Sequence, residues 1–336
     1  MKSKLSVVAK HVGVSEATVS RVLNGRPGVG TATRIAVLTA LDVLGYERPS
    51  RLRGERARLI GLVLPELQNP IFPALAEVVG GALAQGGFTP LLCTRTAGLG
   101  EASHVGVLLD QQVSGVVFAG GHCAQADASH EHFAQLRERG VPVVLLNASV
   151  EELGFPQVST DDAAAVAQAY AHLAALGHER IGLLVGPEDH VPSRRKLAAF
   201  VQQYALRGRE PHPGWVAHTM FGLEGGQAAA GRLLESGVTG VICASDPLAL
   251  GVVRAARRAG LDVPDDLSVI GFDDSPFINC TRPPLTTVRQ PIEAIGRAAV
   301  SLLVGRIDGA PTAPGELLFE PELVVRASTG PAPRRP

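Results

Sequence analysis

Polar residues that can hold a small molecule follow several apolar segments typical of strands. Ligands of open α/β sheets bind beyond the carboxyl ends of the strands, so the residues just after those segments are candidates. They are the segment 67–72, Asn147, Phe221, Ser245 with Asp246, and Asp273 with Asp274. Asp273 and Asp274 can cap a following turn, or Asp273 can hold a polyol or sugar, because a carboxylate accepts hydrogen bonds from two neighbouring hydroxyl groups.

A second chemistry, the recognition of DNA, is indicated near the start of the chain. Small or apolar residues recur at spacings that predict two short helices across a turn at Gly13: Val8, Ala9, Val12, Val14, Val19 and Val22. This is a helix-turn-helix pattern, in which Ser6 and Ser15 are placed to cap the two helices. The outward residues of the second helix are Ser15, Glu16, Ala17, Ser20 and Arg21. They are expected to face a major groove.

Each of these residues suits a particular contact with DNA. The guanidinium of Arg21 matches the two acceptors on guanine, and Glu16 can accept from cytosine beside the small Ala17. The hydroxyl and amide side chains are expected to contact phosphates mostly. The predicted DNA-contacting residues of this region are Ser6, Ser15, Glu16, Ala17, Thr18, Ser20, Arg21 and Asn24.

Metal and catalytic sites have less support. One loop contains His122, Cys123, Asp127, His130 and His132, but these spacings match no usual zinc pattern, so a solvated loop is expected. The chain has no G-x-S-x-G, H-E-x-x-H or G-x-x-x-x-G-K-[ST] motif. An enzyme would have to use Asp246 and Asp273 as an acid–base pair, without a nucleophile or cofactor motif. No enzyme, metal or other cofactor is predicted.

The elements that must position these residues follow from the pattern after residue 59. Short β-branched segments alternate with Ala-rich segments predicted to be helices at 73–85, 104–112, 133–139, 163–176, 196–206, 226–234, 248–259 and 292–304. Such alternation predicts parallel sheets flanked by helices. It occurs as two comparable runs, before and after about residue 160, so two α/β lobes are expected.

The front of the chain is organised differently. A third helix is predicted to start at Thr31 or Thr33 and to reach Leu44, with core positions at Ile35, Leu38, Leu41, Val43 and Leu44. The segment ERPSRLRGERAR is charged, contains Pro and Gly, and has one isolated apolar residue, Leu52, as expected of a linker. The predicted domains are therefore a DNA-binding domain at 1–46, a linker at 47–58, and a ligand-binding and dimerisation domain at 59–336.

Charge and composition agree with this division. Residues 1–58 hold 11 Lys or Arg and 4 Asp or Glu, a net charge of +7, whereas the remainder holds 20 and 28, a net charge of −8. A concentrated positive charge suits a domain that neutralises phosphates. Four widely separated cysteines without a C-x-x-C motif are typical of free thiols in a reducing compartment. With neither a signal peptide nor a membrane-spanning segment evident, the expected location is cytoplasmic.

Several motifs in order resemble one family. They are SEATVSRVLNG, TATRIAVLTALDVLGY, LIGLVLPELQNPIF, LGHERIGLLVGP, CASDPLALG, VPDDLSVIGFDD and PPLTTVRQP. Together they resemble the lactose-repressor/galactose-repressor (LacI/GalR) family of bacterial transcription regulators. The resemblance implies an all-α headpiece followed by a two-lobed, periplasmic-binding-protein-like (type I) α/β domain, with the chain crossing between lobes near Ser159, near Arg289 and near the end. It also implies a homodimer on a pseudo-palindromic operator, without a membrane partner.

The resemblance further implies an effector site between the lobes. Its positions match Ile71, Phe72, Asn147, Lys196, Phe221, Ser245, Asp273 and Gln290. The family commonly has Arg at Lys196, so neighbouring Arg194 or Arg195 is expected to compensate, and it commonly has Asn at Ser245. A sugar or sugar derivative is the expected effector. In the family linker a leucine wedges into the minor groove, and Leu52 either has that role or is an ordinary linker residue in a shortened segment.

One alternative from another class is a solute-binding protein for transport. Such a protein shares the two-lobed architecture but requires export and has no basic headpiece. The helix-turn-helix pattern therefore favours a DNA-binding regulator, which we expect to be a repressor whose operator affinity depends on a bound effector.

Overall fold

The structure is a computed structural model that describes residues 4–24, 26–44, 58–95, 100–148, 154–311 and 315–333. Its internal contacts divide the chain into two compact units, Met1–Arg58 and Leu59–Pro336. Within these described ranges, the first unit contains three helices, and the second contains two six-stranded sheets with their flanking helices. The predicted linker role of Leu52 lies outside the described residues.

The first unit is the predicted helix-turn-helix with a third helix. Helix α1 spans Lys4–Val12, α2 spans Glu16–Leu23 and α3 spans Thr31–Val43. Ser15 caps α2, since its side chain accepts a hydrogen bond of 3.1 Å from the amide of Thr18. Gly13 has a φ of +74°, a left-handed conformation that glycine adopts without steric cost, so the turn between α1 and α2 can be tight.

The core of this unit corrects part of the predicted third helix. Its buried residues are Val8, Ala9, Val19, Val22, Val37, Leu38, Ala40 and Leu41. Ile35 and Val43 are instead 56% and 68% exposed, because the inward face of α3 is centred on residues 37–41. Ser6 lies within α1, so the prediction that it caps this helix is wrong.

Lobe 1 of the second unit is a parallel sheet. Its strands are β1 (Leu59–Leu64), β2 (Thr89–Thr94), β3 (Gly115–Ala119), β4 (Val143–Leu146), β5 (Gln157–Thr160) and β11 (Glu316–Phe319), in the order β11-β5-β4-β3-β1-β2. The helices packed with this lobe are α4 (Ile71–Gln85), α5 (Glu101–Asp110), α6 (Glu131–Glu138) and α11 (Ile292–Ile307). Central strands such as β3 and β4 are buried throughout, as expected for a sheet covered on both faces.

Lobe 2 repeats this arrangement. Its strands are β6 (Ile181–Val185), β7 (Val216–His218), β8 (Gly240–Cys243), β9 (Ser268–Asp273), β10 (Thr286–Arg289) and β12 (Glu322–Val324), in the order β12-β10-β9-β8-β6-β7. Only the pairing of β12 with β10 is antiparallel among the described strand pairs of this sheet. Its helices are α7 (Asp162–Ala175), α8 (Val191–Ala205), α9 (Leu223–Glu235) and α10 (Asp246–Arg258).

Three chain crossings join the lobes. They lie between β5 and α7, between β10 and α11, and between β11 and β12, as predicted. Each lobe has its own hydrophobic core, so the crossings join two separately packed sheets. No helix in the described part of the chain has the length and apolar character needed to cross a membrane.

Candidate functional site

A cavity lies between the two lobes, where the carboxyl ends of their strands meet. Its volume of about 240 Å³ is several times the ~30 Å³ that one water molecule occupies, so it can hold an organic ligand. Most of the predicted effector residues line it: Ile71, Phe72, Asn147, Lys196, Phe221, Ser245, Asp273 and Gln290. Both lobes contribute to this wall.

The polar floor of the cavity is a hydrogen-bonded network around Asp273. Its carboxylate accepts from Gln290 Nε2 at 2.6 Å and from Asn69 Nδ2 at 3.1 Å. Gln290 Oε1 in turn accepts from Asn147 Nδ2 at 3.0 Å and from Thr160 Oγ1 at 2.7 Å. Asn69, Asn147 and Thr160 belong to lobe 1, whereas Asp273 ends a strand of lobe 2. A ligand that contacts this network therefore acts on both lobes at once.

Local backbone geometry directs two of these side chains. Asn147 and Asp273, each at the end of a strand, have φ values of +48° and +122°. Side chains other than glycine rarely adopt such values, although Asn and Asp do so more often than most. Strained backbone of this kind is concentrated at binding sites, where the surrounding structure maintains it.

Electrostatics distinguish Asp273 from ordinary carboxylates. Burial raises its pKa to about 8, repulsion from Asp246 adds to the rise, and hydrogen bonds from Gln290 and Asn69 oppose it. Burial likewise raises the pKa of Asp246 to about 6. Asp246 does not line the cavity. Its two carboxylate oxygens accept hydrogen bonds from Thr287 Oγ1 at 2.6 Å and from the Ser275 amide at 2.7 Å.

Lys196 forms a buried ion pair at the side of the cavity. Its ammonium group donates to Asp162 and lies 3.9 Å from the centre of the Phe272 ring, a cation–π geometry. Burial raises the pKa of Asp162, and the charge of Lys196 is the main opposing influence. Asp161, the neighbour of Asp162, caps α7 through hydrogen bonds from two amides. The charge of Lys196 is thus balanced by that of Asp162, and the remaining N–H donors of its ammonium group are available to a ligand.

The structure differs from the prediction for Arg194. Its side chain does not line the cavity; it donates to the Glu188 carbonyl at 2.7 Å and to Asp127 at 3.1 Å, and it is about half-exposed. Asp127 belongs to the loop of lobe 1 that follows β3, so Arg194 links the two lobes. The adjacent Arg195 makes a second link, a bidentate pair with Glu316 at 2.7 and 2.8 Å.

The walls of the cavity are largely apolar. Phe72, Phe221 and Phe272 contribute aromatic surface, which offers a ligand large apolar faces for packing. Ser245 has a structural function beside any ligand contact, because its hydroxyl caps α10 by accepting from the Leu248 amide at 3.3 Å. This cap fixes the turn that carries Ser245 at the cavity.

Several lining residues were not singled out from the sequence. Asn69 lies in the predicted segment 67–72 but was not distinguished from its neighbours, whereas His190 lies in a loop without a recognisable motif. Burial, together with the charge of Lys196, lowers the pKa of His190 to about 3, so its imidazole is neutral. Its Nδ1 lies 2.9 Å from Ser193 Oγ and its ring packs edge-on against Phe221.

The second candidate site is helix α2 of the first unit. Ser15, Glu16, Ala17, Arg21 and Asn24 are exposed, and Thr18 and Ser20 are partly so. Internal hydrogen bonds order this surface, from Asn24 Nδ2 to the Ser20 carbonyl at 2.8 Å and between the hydroxyls of Ser15 and Thr18 at 2.9 Å. An ordered, exposed polar face beside a buried apolar one is what a recognition helix needs.

The His-rich loop is not the solvated loop that its spacing predicted. His132 and Cys123 are buried, because α6 and the 3-10 helix Gly121–Ala124 pack into lobe 1. His132 Nε2 lies 2.8 Å from a carboxylate oxygen of Glu101, a residue of α5 that the loop sequence could not reveal.

Comparison with known proteins identifies the family. Residues 4–49 match the lacI family of bacterial regulatory proteins, and residues 170–329 match a periplasmic binding protein-like domain. The HTH-type transcriptional regulator MalR of Streptomyces coelicolor (strain ATCC BAA-471 / A3(2) / M145) is 51% identical over 338 residues, which cover 99% of this chain and 98% of that protein. The chain belongs to the LacI family.

Solved structures of LacI-family proteins share the fold over nearly the whole chain. The complex of the transcriptional regulator CelR with cellobiose has a TM-score of 0.73 and 34% identity, and covers 97% of this chain and 100% of that one. The lac repressor dimer bound to operator and the anti-inducer ONPF has a TM-score of 0.71 and 28% identity, covering 98% and 100%. This LacI-family chain is accordingly a DNA-binding transcriptional regulator whose operator affinity is controlled by an effector.

Proposed function

We propose that the chain is a homodimeric repressor and that a sugar or sugar derivative in the cavity sets its affinity for a pseudo-palindromic operator. The domains proposed for this task are a headpiece at 1–46, a linker at 47–58 and an effector and dimerisation domain at 59–336. The observation that carries the proposal is the Asp273 network, which offers paired acceptors and amide donors between aromatic walls.

The chemistry of the cavity favours a polyhydroxylated ligand. The carboxylate of Asp273 can accept from two hydroxyls, while the amides of Asn69, Asn147 and Gln290 can exchange partners with a ligand. Phe72 and Phe221 supply apolar surface for the ring. The proposed effector contacts are Ile71, Phe72, Asn147, Lys196, Phe221, Ser245, Asp273 and Gln290, and Arg194 is assigned instead to the contact between lobes.

Binding is proposed to act by shifting the arrangement of the lobes. The Asp273 network and the Arg194–Asp127 and Arg195–Glu316 pairs all cross between lobes. A ligand that binds one arrangement of the lobes more tightly than the other shifts the equilibrium toward that arrangement. The shift is set by the difference between the two binding free energies, and the resulting coupling between effector and operator binding is typically ~1–3 kcal/mol. In a dimer this difference would change how the two headpieces meet adjacent half-sites.

On DNA, Arg21 is proposed to read guanine, with Glu16 and Ala17 adjusting operator preference. Their exposure on α2 supports this assignment. A single helix-turn-helix buries too little surface for tight specific binding, which favours a dimer. The other proposed contacts are Ser6, Ser15, Thr18, Ser20 and Asn24, with Leu52 in the linker.

Catalysis with Asp246 and Asp273 as an acid–base pair has less support than binding alone. Asp273 lines the cavity, whereas the side chain of Asp246 does not, so Asp246 is not placed to exchange a proton with a ligand there. We therefore propose that the ligand is released unchanged. Recovery of a chemically altered sugar after incubation with the protein would contradict this.

A thermal-shift screen followed by a mobility-shift assay tests the proposed function. The screen uses monosaccharides, disaccharides including cellobiose, sugar phosphates, polyols and nucleosides. A ligand at 100 times its Kd stabilises the folded state by about 2.7 kcal/mol, so a specific sugar should raise the melting temperature by several degrees. The same sugar should change the affinity for an inverted-repeat DNA. A response only to nucleosides, with none to sugars or sugar phosphates, would replace the sugar assignment.

A further inference from the structure

A second site lies in lobe 1, where two imidazoles and one carboxylate meet. Glu101 begins α5, His122 lies in the 3-10 helix Gly121–Ala124, and His132 lies in α6. Within the described residues, one ligand atom from each of the three lies within 4.8 Å of the others. Glu101 and His132 are buried and His122 is partly so. The three side chains come from three different elements, so the sequence of the loop alone could not reveal this group of residues.

We propose that Glu101, His122 and His132 form a binding site for a divalent transition metal such as Zn²⁺. Two imidazole nitrogens and one carboxylate oxygen are a ligand set that zinc accepts, with a water in the fourth position. Zinc–ligand bonds of about 2.0–2.1 Å place tetrahedral ligand atoms about 3.4 Å apart. Glu101 and His132, whose nearest ligand atoms lie 2.8 Å apart, would have to separate by about 0.6 Å. The ring nitrogen of the partly exposed His122, which lies within 4.8 Å of both, would have to approach by at most about 1.4 Å, as a rotation of its side chain allows.

The surrounding contacts hold the three ligands in place. One oxygen of Glu101 accepts from the His122 amide at 3.0 Å, and the other lies 2.8 Å from His132 Nε2. A metal would replace the second contact and take the lone pair of Nε2, with the imidazole proton on Nδ1. His130 and Cys123 are directed elsewhere, since His130 Nε2 lies 3.0 Å from the His122 carbonyl and Cys123 Sγ donates to the Gly120 carbonyl.

A metal bound here would restrain the loop of lobe 1, residues 121–127, that contacts lobe 2. Gly121 and Gln125 of this loop line the effector cavity. The amide of Ala126 donates to the Asp189 carbonyl of lobe 2 at 2.9 Å, and Asp127 pairs with Arg194. Coordination by α5, the 3-10 helix and α6 would restrict the movement of the loop. The site is distinct from the effector cavity, and its existence does not depend on the proposed sugar.

Calorimetric titration of the full chain with zinc chloride tests the proposal. The chain is prepared without a histidine tag and stripped of metal by a chelator. We expect one zinc per chain in the wild type and at least about 10-fold weaker binding in Glu101→Gln and in His132→Gln, since even indirect partners of metal ligands contribute that much. The matched control is His104→Gln, which changes another residue of α5 outside the group and should bind zinc as the wild type does. Zinc affinity equal to wild type in both Glu101→Gln and His132→Gln, or an equal loss of zinc affinity in His104→Gln, would contradict the proposed zinc site.

Two measurements on the wild type keep the test independent of variant folding. Cobalt(II) in this site should give the intense visible absorption of a four-coordinate ion without a thiolate charge-transfer band. A weak six-coordinate spectrum or a thiolate band would contradict the assigned ligands. Hydrogen–deuterium exchange at residues 121–127 should slow at least several-fold when zinc is added, and an unchanged rate would overturn the bracing of the loop.

Discussion

Replacing Asp273 with Asn removes the ionisable carboxyl group from the cavity while preserving side-chain volume. Asn also tolerates the positive φ of this position better than Ala does. Above about pH 8, where the Asp273 carboxyl is ionised, each hydrogen bond to it contributes about 1.5–3 kcal/mol, and 1.4 kcal/mol corresponds to a tenfold change in affinity. Loss of one acceptor should therefore weaken effector binding by about 10- to 100-fold.

The assay is calorimetric titration with the strongest ligand from the screen, followed by an operator mobility shift without ligand. The matched control is Asp274→Asn, the same substitution one residue later. Asp274 pairs with Arg289 and Arg326 and does not line the effector cavity, so its effector affinity should stay within about threefold of wild type by the same arithmetic. Operator affinity should be unchanged in Asp273→Asn. Wild-type effector affinity in that variant, or an equal loss in both, would refute the role assigned to Asp273.

Three further predictions concern DNA contact, pH and helix capping. Arg21→Ala should reduce discrimination between operator and random DNA by about 1–3 kcal/mol, whereas Lys10→Ala should not alter that ratio; competition mobility shifts at fixed salt measure both. The raised pKa of Asp273 favours its protonated form in the folded state, so the contribution of Asp273 to stability should fall as pH rises from about 4 to about 8; urea unfolding of wild type and Asp273→Asn across this range should show a difference in unfolding free energy that shrinks with rising pH. Ser15→Ala should destabilise the headpiece by about 1 kcal/mol through loss of the α2 cap, measurable by thermal unfolding and contradicted by an unchanged midpoint.

Much of the fold was predictable because its long elements have clear periodicity. The segment predicted as a helix at 163–176 forms α7 at Asp162–Ala175, and that predicted at 292–304 forms α11 at Ile292–Ile307. Strands β5, β10, β11 and β12 do not stand out in the sequence, because β5 and β10 each contain one apolar residue and β11 and β12 each begin with Glu. Their pairing depends on the sheets they join, which local sequence does not encode.

The residues of the effector cavity could be predicted from the sequence where they lie at the end of a strand, and less well where they lie on helices or loops. Asp273 and Asn147 follow apolar segments, so their positions at the cavity could be anticipated. Arg194 and Lys196 are two residues apart on α8, about 200° around the helix, and only Lys196 faces the cavity. To decide which of the two residues contacts the effector, one must know which face of α8 is turned toward the cavity. Glu101 could not be connected to His132 without the tertiary structure, because 31 positions separate them.

The most direct test of the regulatory account is operator affinity measured with and without the identified sugar. A mobility-shift titration of the wild-type chain on inverted-repeat DNA, at one salt concentration, gives both values. We predict a change of about 5- to 150-fold, the range expected for 1–3 kcal/mol of coupling, with no sugar-dependent change in Asp273→Asn at the same sugar concentration. An operator affinity that is the same at zero and at saturating sugar would contradict the coupling between cavity and headpiece.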